Sequence, residues 1–196
     1  MRRPVTFDVE RPPAFEPAHV ILRVALLIVM GWIGHPLGLL WLGVPAAAAI
    51  LVSQNGGQRY LDESGPTVTR VLGWILAVVA YVALLTDRLP DRDGPAIRFQ
   101  VERSGPPTVS SVLLRILYVI PNLILFAILA FFGGIIWLIA AVLVLIKGTY
   151  PEGMWRFLLG LVRWEAWLLA YLASLVDHYP PFALETGPMS PAAPTS

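Results

Sequence analysis

Three aspartates, Asp87, Asp91 and Asp93, stand close together with Arg88 and Arg92 between them. Three carboxylates at such spacing suit a hard cation such as Mg²⁺ or Ca²⁺. Alternating charge signs in a stretch bounded by Pro and Gly instead describe a solvated linker, so no metal site is expected. A second feature is a repeated ending. Asp87-Arg88-Leu89-Pro90 recurs as Asp177-His178-Tyr179-Pro180. An aspartate close to a helix C-terminus opposes the helix dipole. Its recurrence therefore implies a partner for each carboxylate: Arg70, Arg163 or a backbone amide of the turn. Asp87 and Asp177, with Tyr81 and Tyr171 upstream, are expected to be structural helix-end groups. A proton-handling site is the rival reading.

The rest of the search for chemistry is negative. His19, His35 and His178 are far apart, and the chain has no cysteine, which removes thiol catalysis, thiolate metal sites and disulfides. There is no nucleophile elbow, zinc-protease helix, phosphate-binding glycine loop or dinucleotide fingerprint. No catalytic residue and no cofactor are expected. The net charge of +1 gives no electrostatic footprint for nucleic acid.

The elements carrying these residues repeat. Phe7-Asp8-Val9-Glu10-Arg11 returns as Phe99-Gln100-Val101-Glu102-Arg103, and Arg23 returns as Arg115 at the same offset. After a small slip, Tyr60, Tyr81, Asp87 and Pro90 match Tyr150, Tyr171, Asp177 and Pro180. The chain divides into repeat 1 over residues 1–93, repeat 2 over residues 94–184, and a tail over 185–196 expected to be disordered. Each repeat opens on a strictly alternating segment, such as Val5, Phe7 and Val9 between Thr6, Asp8 and Glu10. A period of two suits half-buried strands. These can pair as a small sheet or remain separate extended arms.

With 57% hydrophobic and 14% charged residues, the chain is too apolar to hide in one soluble core. An all-α integral membrane protein is expected. The apolar stretches at 19–52 and 112–146 are each too long for one span and fit two short ones. Helical hairpins are expected there, turning at Gly34-His35-Pro36 and at Gly133-Gly134, with a kink near Pro121 and Asn122. Gly34 and Gly38 form a small-xxx-small pair that Pro36 weakens as a dimer face. Segments 68–86 and 154–177 read as amphipathic interfacial helices, the second rich in Trp and Arg. If these also crossed the membrane, the basic residues would divide almost evenly between the faces. If only the hairpins cross, all 14 Lys and Arg fall on one face, which satisfies the positive-inside bias. Four crossings with both termini cytosolic are therefore expected. Residues 1–17, with Asp8, Glu10, Glu16 and several prolines before any apolar run, read as a mature arm rather than a signal peptide.

Arg23 and Arg115 each sit a few residues into a first span. Snorkelling to the headgroups is the simplest expectation for both. Arg156 and Arg163 share one helical face, beside Trp164 and Trp167. These six residues are the expected contacts to lipid or to a partner.

The second repeat also carries a resemblance. Phe99-Gln100-Val101, the long apolar stretch, Lys147-Gly148-Thr149-Tyr150-Pro151-Glu152-Gly153, Arg163-Trp164 and Asp177-His178-Tyr179-Pro180-Pro181-Phe182 resemble the bacterial membrane family called domain of unknown function 4389. The resemblance spans residues 97–184; the first repeat resembles it more loosely. It implies a bacterial plasma-membrane location and no activity. The expected role is a non-enzymatic module associating with lipid, a larger membrane complex or further copies of itself. A small transporter or channel, or a lipid-modifying enzyme using Asp87 and Asp177, are the rivals.

Overall fold

The computed structural model describes residues 4–32, 36–88 and 97–185, without the side chains of 29–32 and 36–40. Gly34, His35, Pro90, Asp91, Asp93 and the tail from residue 186 lie outside the described residues. The chain is mostly helical: β1 (Val5–Asp8), α1 (Pro17–Trp32), α2 (Pro36–Asn55), α3 (Gly57–Arg59), a π-helical turn Tyr60–Ser64, α4 (Gly65–Val82), β2 (Arg98–Val101), α5 (Val109–Tyr118), α6 (Ile120–Lys147) and α7 (Glu152–Leu172).

The alternating segments do pair. β1 and β2 form an antiparallel two-stranded sheet with Val5 opposite Val101, Phe7 opposite Phe99 and Asp8 opposite Arg98. Two strands alone are marginal in water, but Val5 and Phe7 are buried and the sheet packs on α7 and α4. Thr6, Asp8, Arg98 and Gln100 occupy the other, more exposed face.

Two helices are long and apolar enough to cross a membrane: the continuous run Gly57–Val82 and α6, with mean hydropathies of 1.5 and 2.8. The expected hairpin turn at Gly133-Gly134 is not there. α6 runs through both glycines, and a Cβ at Gly133 would stand 2.5 Å from Leu161 Cδ1. Gly133 permits close approach of α6 to α7. The interruption falls earlier, at Val119, with Pro121 in the first turn of α6. Proline is tolerated there because a first-turn N–H has no intrahelical acceptor. α6 ends at Gly148, whose φ of 69° is left-handed and suits glycine. α5 begins with a capping box between Thr108 and Ser111.

α7 differs most from expectation. It is not a helix with one face left to lipid: nearly every residue from Trp155 to Leu172 is buried, against α6, α4, α2, α5 and β1. A helix that is apolar almost all round belongs in a core. α4 is more open, with Val71 and Trp74 exposed. α1 packs on α6 and α4, and α2 on α5 and α7.

Candidate functional site

Arg23 lies on α1, fully buried. Its Nε donates to the Tyr81 carbonyl at 2.6 Å, and Nη2 donates to the Thr86 carbonyl at 2.6 Å and to Asp87 Oδ1 at 2.7 Å. The guanidinium also stands 4.4 Å from the Tyr81 ring centroid. Arg115 on α5 has a matching set. Nη1 donates to the Tyr171 and Val176 carbonyls, Nη2 donates to Asp177 Oδ1 at 2.8 Å, and the Tyr171 ring is 5.0 Å away. The partners of Asp87 and Asp177 are thus Arg23 and Arg115, not Arg70 or Arg163. Asp87 Oδ2 also accepts from the Glu16 backbone N–H at 2.7 Å.

The local backbone explains why an arginine belongs there. After α4, Leu84 has a φ of 59°, Leu85 N–H returns to the Ala80 carbonyl and Leu84 N–H to that of Tyr81. After α7, Ser174 has a φ of 55°, Leu175 N–H returns to Ala170 and Ser174 N–H to Tyr171. Both are Schellman ends, built with a side-chain-bearing residue where glycine is usual. A helix C-terminus concentrates unpaired carbonyls and negative potential. A buried guanidinium satisfies both and accommodates the following aspartate. Each end is further tied to the other half of the chain: Tyr150 Oη donates to the Leu84 carbonyl, and Tyr60 Oη to the Ala173 carbonyl.

Arg163 fastens α7 to the sheet. Nε donates to the Phe7 carbonyl at 3.1 Å, Nη2 to Asp8 Oδ1 at 2.8 Å and Nη1 to the Glu185 carbonyl at 3.0 Å. Asn122, fully buried on α6, donates to the Pro180 carbonyl and accepts from Trp164 Nε1, each at 3.1 Å. Four of the six expected lipid or partner contacts, Arg23, Arg115, Arg163 and Trp164, therefore lie inside the protein. Snorkelling does not occur at Arg23 or Arg115, because protein carbonyls at hand replace the headgroups. Trp167 is half-buried, its Nε1 without a partner among the described residues. Arg156 alone is well exposed, in an ion pair with Glu152.

Residues 110–183 match the model of a family described as Domain of unknown function (DUF4389). That stretch is similar to a DUF4389 domain. No curated protein and no solved structure matches the chain. The matched stretch covers almost all of α5, all of α6 and α7, and one of the two Arg–Asp helix ends. Among the described residues, no group of three or more His, Asp or Glu is placed to hold a metal ion.

The matched stretch also holds a group missed in the sequence. Glu165 on α7 is 9% exposed and has no hydrogen bond or ion pair among the described residues. Burial pushes its carboxyl up from 4.5 to about 7. A signal was available: its helical neighbours Leu161, Val162, Leu168 and Leu169 are all apolar, so its face of the helix offers it no polar company.

Proposed function

We propose that the chain is a non-enzymatic module of the bacterial plasma membrane, made of two copies of one unit and acting by association with lipid. The observation that carries this is the division of its surface. The polar groups best placed for chemistry bond to the chain itself. The exposed large apolar side chains concentrate on the long helices, among them Ile124, Ile128, Phe131, Ile135 and Leu138 of α6. Contiguous apolar surface of that extent marks a membrane or protein contact.

The repeat is supported by the like construction of the two Arg–Asp helix ends and by Phe7 facing Phe99 across the sheet. Antiparallel pairing of equivalent residues implies a local two-fold axis through that pair. The segment after β1 leads to one Arg–Asp helix end and the segment after β2 to the other. At one end Phe15 N–H donates to Gly148; at the other Ser104 N–H donates to Leu175. If the ends lay on opposite sides of a bilayer, the polar strand face with Asp8, Arg98 and Gln100 would lie at its midplane. Exposed backbone edges and charges are costly there. We infer that the sheet and both ends face the cytosol, with both termini, and that the long helices sink into the bilayer without carrying the chain across it. This keeps the basic residues on one face and dispenses with the four-crossing path, whose second turn is inside α6.

The reading is tested with vesicles of phosphatidylethanolamine and phosphatidylglycerol. The reconstituted chain is expected to float with them and resist alkaline extraction, and the detergent-purified chain to retain phospholipid. Release at alkaline pH with no retained lipid would overturn it.

A further inference from the structure

Between α4, α6 and α7 runs an apolar groove of 530 Å³, walled by Trp74, Val78 and Val82, by Ala130 and Gly134, and by α7 with Glu165. That volume lies in the range of small-molecule sites. Gly134 helps to open it, because a Cβ there would meet nothing within 4 Å. The groove adjoins the exposed apolar surface of α6, so in a bilayer it opens where acyl chains are the solvent. Among its described lining residues Glu165 is the one titratable group, and Ile75, which the repeat makes its equivalent, lines the same groove. An unpaired carboxyl in an apolar wall is costly for the fold. Bulk acyl chains offer it no acceptor, whereas a glycerolipid has ester carbonyls at the head of each chain.

We propose that this groove holds one acyl chain of a membrane glycerolipid, with the protonated Glu165 carboxyl donating a hydrogen bond to the lipid's ester carbonyl. The inference rests on the membrane reading and adds a defined site to it. Gly134 keeps the cleft open for the chain, and Glu165 fixes the chain's depth.

The test uses the full chain in nanodiscs of phosphatidylethanolamine and phosphatidylglycerol, doped with a phosphatidylglycerol bearing an acyl-chain diazirine. Crosslinks are mapped by mass spectrometry. Groove residues Val78, Val82 and Ala130 should be labelled more densely than Ile128 and Leu138 on the outward face of α6. Gly134→Leu should abolish the excess by filling the cleft. Glu165→Leu should reduce it by a factor of about 3 to 10, the worth of one hydrogen bond in an apolar site. Glu165→Gln, which keeps an N–H donor, should retain it. Groove labelling no denser than at Ile128 and Leu138, or unmoved by both leucine variants, would overturn the proposal. Absence of label at Ile128 and Leu138 as well would instead mark failure of the membrane reading.

Discussion

At the scale of single residues, two buried charges behave differently. Arg23 Nε and Nη2 reach three acceptors, while Nη1 has none among the described residues, so removal of the side chain leaves the Tyr81 and Thr86 carbonyls and Asp87 uncompensated. Arg23→Leu is expected to cost about 3 kcal/mol or more in thermal or denaturant unfolding. Arg23→Lys should not restore it, since an ammonium cannot reproduce the guanidinium fork. The acid partners should differ. The Asp87 side chain is 17% exposed and that of Asp177 67% exposed, so Asp87→Asn should be clearly destabilising and Asp177→Asn nearly silent. Glu165 works against the fold at neutral pH. Its folded carboxyl holds a proton up to about 7, whereas the unfolded one loses it near 4.5. The folded state therefore binds more protons between those values, and stability falls as pH rises through that window. Comparing wild type with Glu165→Gln at pH 4 and pH 8 should expose a differential loss of about 3 kcal/mol in the wild type alone. The difference between variants isolates Glu165 from Asp8, Asp87 and Asp177. The recurrence of Arg23 as Arg115 and of Asp87 as Asp177 was legible in the sequence. That they join was not, because the partners are 64 and 62 positions apart and nothing local links them.

At the scale of elements, alternation read correctly as strands, and the sheet followed. Gly133-Gly134 misled because two adjacent glycines signal a turn in a sequence and close helix packing in a structure, and only the neighbouring helix decides between them. The Trp- and Arg-rich α7 misled for a related reason. Arg163 resembles a headgroup contact until β1 is seen to supply its acceptors, and Trp164 until Asn122 is seen to accept its N–H. The two helix ends carry a prediction of their own. Ser174 is buried in a left-handed conformation, with its hydroxyl unpartnered among the described residues. Ser174→Gly should relieve the backbone and remove the orphan oxygen, raising stability by about 1 kcal/mol. Leu84→Gly should do the reverse, because Leu84 is fully buried and its packing is lost with the side chain. A melting comparison of the two variants checks both signs.

At the scale of the whole molecule, the apolar composition was legible, and two of the helices are long and apolar enough to cross a membrane. The path through it was not legible, since hydropathy cannot tell a helix that crosses from one that lies along a protein body. The central claim is that both ends of the molecule share one face. The chain has no native cysteine, so single substitutions can be labelled without interference. Gln100 lies on the polar face of the sheet, Arg59 near one end and Glu152 near the other, all exposed. In membranes treated with an impermeant maleimide, cysteines at these three positions are expected to label from the cytosolic side only. Those at Ile128 and Leu138 should label only after detergent. Labelling of Arg59 and Glu152 positions from opposite sides would contradict the account and restore helices that cross the bilayer.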